Sequence, residues 1–316
     1  MVIVFHAGYY ASAWNPYYNS DGIGGTEQCI MGLSRSLAMR GHEVFVVGQV
    51  QPMHDKYING SIRYVPLGEI HSIPDPDVLI GVSYIHYLKY YNLKPTTKKI
   101  FWLHNEHPHY WYKGQRMSDS DIQEAYLNTD IIVCLTDWHK EYFLKHEAFA
   151  HLLGDRVEVI GNGVVTSLFE PVIQKKPNSY IYTSHAERGL ENVISDIEKG
   201  YLQGTLDIAT PSYGLQYYNE HFAERVSRLD NVTFHGSLSS KELYKLMASC
   251  ETWYYPTNYN ETYCITAIEM LAHHVRPLVN PIAGLRDTLN VFHKYITDWS
   301  AVDEYVKSRD WDVVVK

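Results

Sequence analysis

The sequence contains few cysteines and no long apolar run. Four of its 316 residues are cysteines, and no two of them form a C-x-x-C pair: Cys29, Cys134, Cys250 and Cys264. This spacing argues against a disulfide framework and a zinc site, and it favours buried thiols under reducing conditions. No apolar stretch approaches the roughly 20 residues that a membrane-spanning helix needs. No basic segment precedes the first apolar run, so we also expect no signal peptide. The sequence therefore predicts a cytoplasmic protein without a transmembrane segment, and it leaves peripheral contact with a membrane open.

The sequence also lacks an excess of basic residues. Its 27 Lys and Arg residues stand against 36 Asp and Glu residues, which gives a net charge of −9. With no basic block present, nucleic acid is not an expected partner. Internal repeats and low-complexity tracts are absent as well, which argues against a solenoid or a disordered chain. The 45% of apolar residues are enough to form the cores of two ordinary domains.

Apolar strand patterns alternate with helical patterns along most of the chain, which is typical of parallel sheets covered by helices on both faces. In the first half we predict strands at 2–5, 44–47, 62–65, 78–80, 99–103, 131–135 and 157–160. In the second half we predict them in SYIYTS, LDIAT, VTFHGSL, TWYYP and at 277–279. The stretch from Ile160 to Asn178 has the composition of a domain linker. The sequence thus predicts two Rossmann-like α/β domains, at 1–165 and 166–295, followed by a terminal segment at 296–316.

The stretch from Thr252 to Asn280 predicts a β-α-β unit with a polar first turn, and it contains two glutamates, Glu261 and Glu269. At roughly 100° per residue, one straight helix would not direct both carboxylates at a single point. We therefore expect Glu261 in the loop before the helix, so that both carboxylates lie at the rim of one cleft. A carboxylate can accept hydrogen bonds from vicinal hydroxyls, as in a sugar. Two solvated glutamates on a surface helix are the alternative.

Several groups in the second half suit a diphosphate. The backbone N–H groups of Tyr263, Cys264 and Ile265 are expected to open the helix, where an anion binds favourably. Arg188, in the segment SHAERGL, follows the first strand of this half and can offset the charge of a buried diphosphate. A solvated surface arginine is the alternative for Arg188. Phosphate donors beside hydroxyl acceptors indicate a nucleotide-sugar site.

The first half contains a glycine pair and a histidine cluster. Gly24 and Gly25 permit the close backbone approach that an anion at a helix N-terminus requires, although a plain turn explains them equally well. The segment HNEHPHYW contains His104, His107 and His109, whose spacing on a proline-broken loop matches no standard metal site. We therefore expect no metal. A neutral imidazole can bind a sugar hydroxyl, and a structural histidine explains His104 as well.

These motifs resemble, in their order, retaining glycosyltransferases of family four, which have the GT-B architecture. NETYCITAIEML resembles the E-x7-E signature, in which Cys264 stands at a usual glycine. GIGGTE resembles the glycine-rich loop of the N-terminal domain, and N-G-V with F-x-P resembles the inter-domain junction. The resemblance extends from the GIGGTE turn to about Leu289. It implies two Rossmann-like domains with parallel sheets that face each other across a cleft, and a terminal segment that crosses back to the first domain.

The resemblance also implies a role for individual residues. The catalytic residues would be Glu261, His104 and Arg188. The donor diphosphate would be bound by Ser184, Arg188, Gly24, Gly25 and the amides of Tyr263, Cys264 and Ile265. The ribose would be bound by Glu269, and the nucleobase by Ser237, Leu238 and Tyr213. One of the two cations usual in this family is replaced, because Ser184 or His185 occupies its position.

By this resemblance the protein would transfer a hexose, with retention, from a nucleoside diphosphate sugar to a hydroxyl of a glycan or other acceptor. No cofactor or metal is implied beyond the nucleotide sugar. GDP-mannose is slightly favoured over UDP-glucose, because both are common donors in the family. One alternative is a GT-B protein that binds nucleotide sugar or glycan with weak or no turnover, as the departures at Cys264 and Ser184 suggest. Another is an epimerase that acts on the donor alone.

Overall fold

The structure, a computed structural model, describes residues 1–8, 13–17, 23–112, 114–164 and 173–293. The chain divides into two compact units, and the main boundary between them lies between Gly163 and Val164. The predicted terminal segment, 296–316, lies outside the described residues. No helix in the described ranges is long and apolar enough to cross a membrane.

The first unit is built on an eight-stranded sheet with the strand order β10-β9-β6-β5-β1-β2-β4-β3. Neighbouring strands are parallel except for β3, which pairs antiparallel with β4. A separate hairpin is formed by β7 and β8. The strands are β1 (Val2–Gly8), β2 (Glu43–Gly48), β3 (Met53–Lys56), β4 (Ser61–Pro66), β5 (Val78–Val82), β6 (Lys98–Trp102), β7 (Trp111–Tyr112), β8 (Gln115–Arg116), β9 (Ile131–Cys134) and β10 (Val157–Val159).

Three α-helices of the first unit are α1 (Gly25–Met39), α2 (Asp119–Asn128) and α3 (Asp137–His146). Short 3-10 helices lie at Leu67–Ser72, Ile85–Tyr90, Ala150–Leu152 and Gly154–Arg156. Side chains cap two of the α-helices, because Ser118 accepts from the amide of Asp121 and Thr136 accepts from the amide of His139. The apolar runs of the central strands are buried on both faces, as parallel sheets require.

The second unit contains a five-stranded, fully parallel sheet with the order β13-β12-β11-β14-β15. Its strands are β11 (Ser179–Thr183), β12 (Thr205–Ala209), β13 (Val232–Phe234), β14 (Thr252–Tyr255) and β15 (Arg276–Val279). Its helices are α4 (Leu190–Glu198), α5 (Leu215–His221), α6 (Ala223–Val226), α7 (Ser240–Ser249), α8 (Ile265–Ala272), α9 (Ala283–His293) and a 3-10 turn at Ser212–Gly214.

The helices of the second unit follow from apolar spacing and capping. Helix α4 buries Leu190, Val193, Ile194 and Ile197, which recur at three- and four-residue intervals. Ser239 and Glu242 form a capping box at the start of α7. Because all five strands are parallel, the loops that follow them meet at one end of the sheet, the carboxyl end.

Candidate functional site

Arg188 and Glu261 form an ion pair at the carboxyl end of the second sheet. The Nη1 atom of Arg188 lies 3.1 Å from Oε1 of Glu261, and the guanidinium lies 4.0 Å from the ring centroid of Tyr259. Tyr255 donates a hydrogen bond of 2.7 Å to the same Glu261 oxygen. Ser184 Oγ lies 3.4 Å from the Tyr255 hydroxyl. We call these five residues the Arg188 cluster, and it contains three of the predicted site residues.

The electrostatics of the cluster keep Arg188 charged. Burial alone would lower the pKa of Arg188, but the charge of Glu261 and the nearby tyrosines outweigh burial and raise it. His185, beside Ser184, is not a second cation, because burial lowers its pKa below the ordinary value. Arg188 is therefore the cationic side chain of this loop.

The β11–α4 turn can approach β14 because residue 189 is a glycine. Gly189 has φ +105°, and a Cβ atom there would lie 2.9 Å from the carbonyl oxygen of Pro256. Asn192 Nδ2 donates to that same carbonyl at 2.9 Å. These contacts bring Arg188 to the loop that contains Glu261.

The loop between β14 and α8 also accepts hydrogen bonds from the segment that follows β15. Asn280 Nδ2 donates to the carbonyl of Thr257 at 3.0 Å, and the amide of Gly284 donates to the carbonyl of Glu261 at 2.8 Å. Both contacts come from the segment after β15. They order the loop that positions the Glu261 carboxylate.

Cys264 occupies the N-cap position of α8 with φ +71°, in the left-handed region that glycine suits. A glycine at this position would adopt the same backbone without the steric cost of a Cβ atom. Burial, with the charge of Glu261, raises the pKa of the Cys264 thiol well above its usual range. Since α8 begins at Ile265, the amides of Tyr263, Cys264 and Ile265 lie at its N-terminus, as predicted.

Glu269 lies inside α8 and is only 4% exposed. The prediction that both glutamates lie at a rim is therefore wrong for Glu269, because its position on α8 directs the side chain toward α7. There, the Tyr244 hydroxyl donates to Glu269 Oε1 at 2.7 Å. Burial raises the pKa of Glu269 to about 7, although the hydrogen bond from Tyr244 opposes that rise.

The three nucleobase candidates lie at the carboxyl ends of β12 and β13. Tyr213 is 56% exposed, and its ring stacks on His185 with centroids 5.6 Å apart. Ser237 and Leu238 are half-buried in the turn after β13. The amide of Thr210 donates to the carbonyl of Gly236 at 3.0 Å, which joins this turn to the end of β12. These residues therefore lie at the same end of the sheet as the Arg188 cluster, and their role stays a prediction.

His104 is buried in the first unit, just after β6. Its ring packs edge-on against Trp102, with centroids 4.4 Å apart. Burial and the neighbouring His139 lower its pKa to about 3, so the imidazole is neutral. Gly24 and Gly25 lie at the start of α1, the helix that follows β1 in sequence.

The other two histidines of this loop have different neighbours from those of His104. His107 packs on Tyr142, and His109 packs on Tyr84. Within the described residues, no three His, Cys, Asp or Glu side chains come together in a way that could bind a metal ion.

Comparisons with known proteins show similarity in structure but not in sequence. Neither protein-family models nor curated protein sequences give a match. A sucrose-phosphate synthase from Thermosynechococcus elongatus is 14% identical with a TM-score of 0.65, over 99% of this chain and 96% of that one. The catalytic domain of starch synthase IV from Arabidopsis thaliana, bound to ADP and acarbose, is 10% identical with a TM-score of 0.61, over 90% of this chain and 84% of that one.

The HepE protein of Anabaena in complex with UDP-glucose is 14% identical with a TM-score of 0.60, over 90% of this chain and 82% of that one. These similarities confirm the predicted architecture. The chain has the fold of GT-B glycosyltransferases, with two Rossmann-like domains.

Proposed function

We propose that the protein is a retaining glycosyltransferase that moves a hexose from a nucleoside diphosphate sugar to a hydroxyl of a glycan or other acceptor. The observation that supports this most directly is the Arg188–Glu261 ion pair, which lies with Ser184 beside the N-terminus of α8. A cation and a helix N-terminus suit a diphosphate, and carboxylates suit hydroxyls. We place the reaction in the cytoplasm.

The main task of the protein in this reaction is to stabilise the departing diphosphate. Arg188 and the amides at the start of α8 would neutralise the charge that develops on the leaving group. This electrostatic stabilisation makes a metal ion unnecessary in the proposed mechanism. The acceptor proton would pass to an oxygen of the donor phosphate, as in the front-face reaction ascribed to the resembling family.

The remaining predicted residues would bind the rest of the donor. Glu261 and His104 would accept or donate hydrogen bonds at the hexose, where a neutral imidazole can do both. Glu269 would accept from the ribose hydroxyls. Tyr213, Ser237 and Leu238 would flank the nucleobase, and Gly24 and Gly25 would approach the diphosphate.

Two donors are the leading candidates. The resemblance slightly favours GDP-mannose, whereas the HepE complex contains UDP-glucose. The test is to incubate the protein with each nucleotide sugar and a panel of glycan acceptors, and to measure nucleoside diphosphate release and the anomeric configuration of the product. Arg188→Met should lower the rate about 10²- to 10³-fold, as expected for the loss of a leaving-group contact.

Arg228→Met is a matched control, because Arg228 is an exposed arginine of the same unit whose ion-pair partner among the described residues is the exposed Glu224. It should leave the rate unchanged. An inverted product would contradict the retaining mechanism. Donor binding without release of nucleoside diphosphate, with any acceptor, would instead support a binding protein without turnover. The single cation on the β11–α4 loop favours that second function.

A further inference from the structure

A buried hydrogen bond joins α7 to α8 in the second unit. Tyr244 is 4% exposed and Glu269 is also 4% exposed, and the phenol donates to Glu269 Oε1 at 2.7 Å. The Tyr244 ring also packs against His273, with centroids 5.2 Å apart. Because one oxygen is fixed by Tyr244, the orientation of the whole carboxylate is fixed.

The contact connects two parts of the candidate site that are far apart in sequence. Helix α7 follows the turn that contains Ser237 and Leu238, whereas α8 begins beside the Arg188 cluster. A side chain of α7 that binds a carboxylate of α8 therefore links the nucleobase turn to the diphosphate site.

We propose that Tyr244 is a positioning residue, which orients the Glu269 carboxylate so that its second oxygen accepts hydrogen bonds from the ribose hydroxyls of the donor. This inference rests on the proposed function and deepens it. A hydrogen bond from a phenol stabilises a buried carboxylate in its ionised form. Because Tyr244 holds the Glu269 side chain in place before the nucleotide sugar binds, the entropic cost of binding is also smaller.

The surroundings of Glu269 offer the carboxylate no cationic partner among the described residues. The groups that face it are Tyr244 from α7, and Cys264 and His273 from its own helix. The His273 ring bonds to the main-chain carbonyl of Glu269 at 2.7 Å. The ammonium of Lys175 lies at the carbonyl of His273, at the end of α8, where it bonds backbone rather than the carboxylate. Tyr244 is thus the only side chain in the described structure that hydrogen-bonds this carboxylate.

The arrangement predicts that donor binding depends on pH. Burial raises the pKa of Glu269 to about 7, so the carboxylate loses its charge as the pH falls through neutrality. Only the ionised form offers a charged acceptor to two vicinal hydroxyls. Donor affinity should therefore be constant well above pH 7 and should fall about tenfold for each pH unit below it.

The experiment is calorimetric titration of UDP-glucose and GDP-mannose at a series of values from about pH 5.5 to about pH 9. This range includes the pH at which Glu269 is expected to titrate. Nucleotide sugars are suitable probes because they lack the terminal phosphate that itself titrates near pH 6. Tyr244→Phe removes the hydrogen bond that favours the ionised form. It should shift the midpoint of the profile to higher pH and weaken binding at pH 7, while affinity at pH 9 recovers toward that of the wild type.

Two further variants separate positioning from damage to the fold. Glu269→Gln replaces the carboxylate by a side chain that is uncharged at every pH. This variant should bind the nucleotide sugar weakly, and its affinity should not change with pH. Tyr87→Phe removes another buried phenol, which bonds Thr129 at 3.2 Å in the first unit, and should leave the midpoint unchanged.

The outcomes distinguish the inference from the function on which it rests. If neither nucleotide sugar binds the wild type at any pH, the proposed function fails. If one binds but Tyr244→Phe keeps the wild-type midpoint, or if the wild-type profile is flat, the positioning role of Tyr244 is refuted while the proposed function stands.

Discussion

Replacing Glu261 by glutamine should strengthen the binding of a nucleoside diphosphate while it slows transfer. Arg188 already has a carboxylate partner in Glu261, 3.1 Å away. A diphosphate must share this guanidinium with Glu261 and approach a like charge. Glu261→Gln retains the shape of the side chain and removes both obstacles.

The magnitude follows from the geometry of the pair. A charge-assisted hydrogen bond contributes about 1.5–3 kcal/mol. The side chains of Arg188 and Glu261 are 31% and 12% exposed, so solvent screens part of that value. We expect the diphosphate to regain about 1–2 kcal/mol, which corresponds to roughly 5- to 30-fold tighter binding. Transfer should nevertheless slow, because the proposed contact of the Glu261 carboxylate with the hexose is lost.

The assay is titration of UDP and GDP at pH 8, combined with the initial rate of transfer. Arg188→Met should weaken binding of the same ligands, which gives the opposite sign from Glu261→Gln. Glu187→Gln is the matched control, because Glu187 lies on the same turn, is 59% exposed and contacts only His185 among the described residues. Its effect should stay within about 0.5 kcal/mol.

Unchanged or weaker diphosphate binding in Glu261→Gln would contradict this prediction. That result would mean that Glu261 does not compete for Arg188, either because the pair separates in solution or because the diphosphate binds elsewhere. Tighter binding without any loss of transfer would refute only the assigned role of Glu261 at the hexose.

Two further predictions concern stability. His274→Gly should raise the free energy of unfolding by about 1 kcal/mol, because the exposed His274 follows α8 with φ +54°, where glycine avoids the cost of left-handed backbone. Urea denaturation would measure this, and an equal gain in His274→Ala would contradict the backbone explanation. His86→Phe should raise the free energy of unfolding by about 1–2 kcal/mol. His86 is 1% exposed, and neither of its ring nitrogens has a hydrogen-bond partner in the described structure. Thermal denaturation would show this as a higher midpoint, with the exposed His151→Phe as a neutral control, and a lower midpoint for His86→Phe would refute it.

The sequence predicts the elements with the strongest apolar patterns most reliably. The strands of the second unit lie where their apolar runs predict them. Buried strands and capped helices have local signals, since an apolar run or a capping box depends on nearby residues only.

The elements missed from the sequence have weak apolar patterns. Strand β3 is short, contains MHDK and alternates half-buried with exposed residues at the edge of the sheet. Helix α2 contains mostly polar residues and buries only Ile122, Ala125 and Tyr126. Their stability depends on pairing with β4 and on packing against the first unit, which a local pattern does not reveal.

The contacts of the candidate site could not be predicted from the sequence. Arg188 and Glu261 meet because β11 and β14 are neighbours although two other strands separate them in sequence. Tyr255 and Tyr259 gave no signal of their own, since one lies in an apolar strand and the other in a polar loop. The burial of Glu269 did have a signal, because Ile268, Met270 and Leu271 surround it with apolar residues.

The native thiols are poorly suited to nucleophilic reaction. Cys29, Cys134 and Cys250 are buried, and burial raises the pKa of Cys134 and Cys250 to about 12. Cys264 is also held in its protonated form. A maleimide reacts with the thiolate, so an engineered surface cysteine on each domain should be labelled ahead of the four natural ones. Fluorophore pairs attached in this way would report the distance between the two domains while a donor sugar is added.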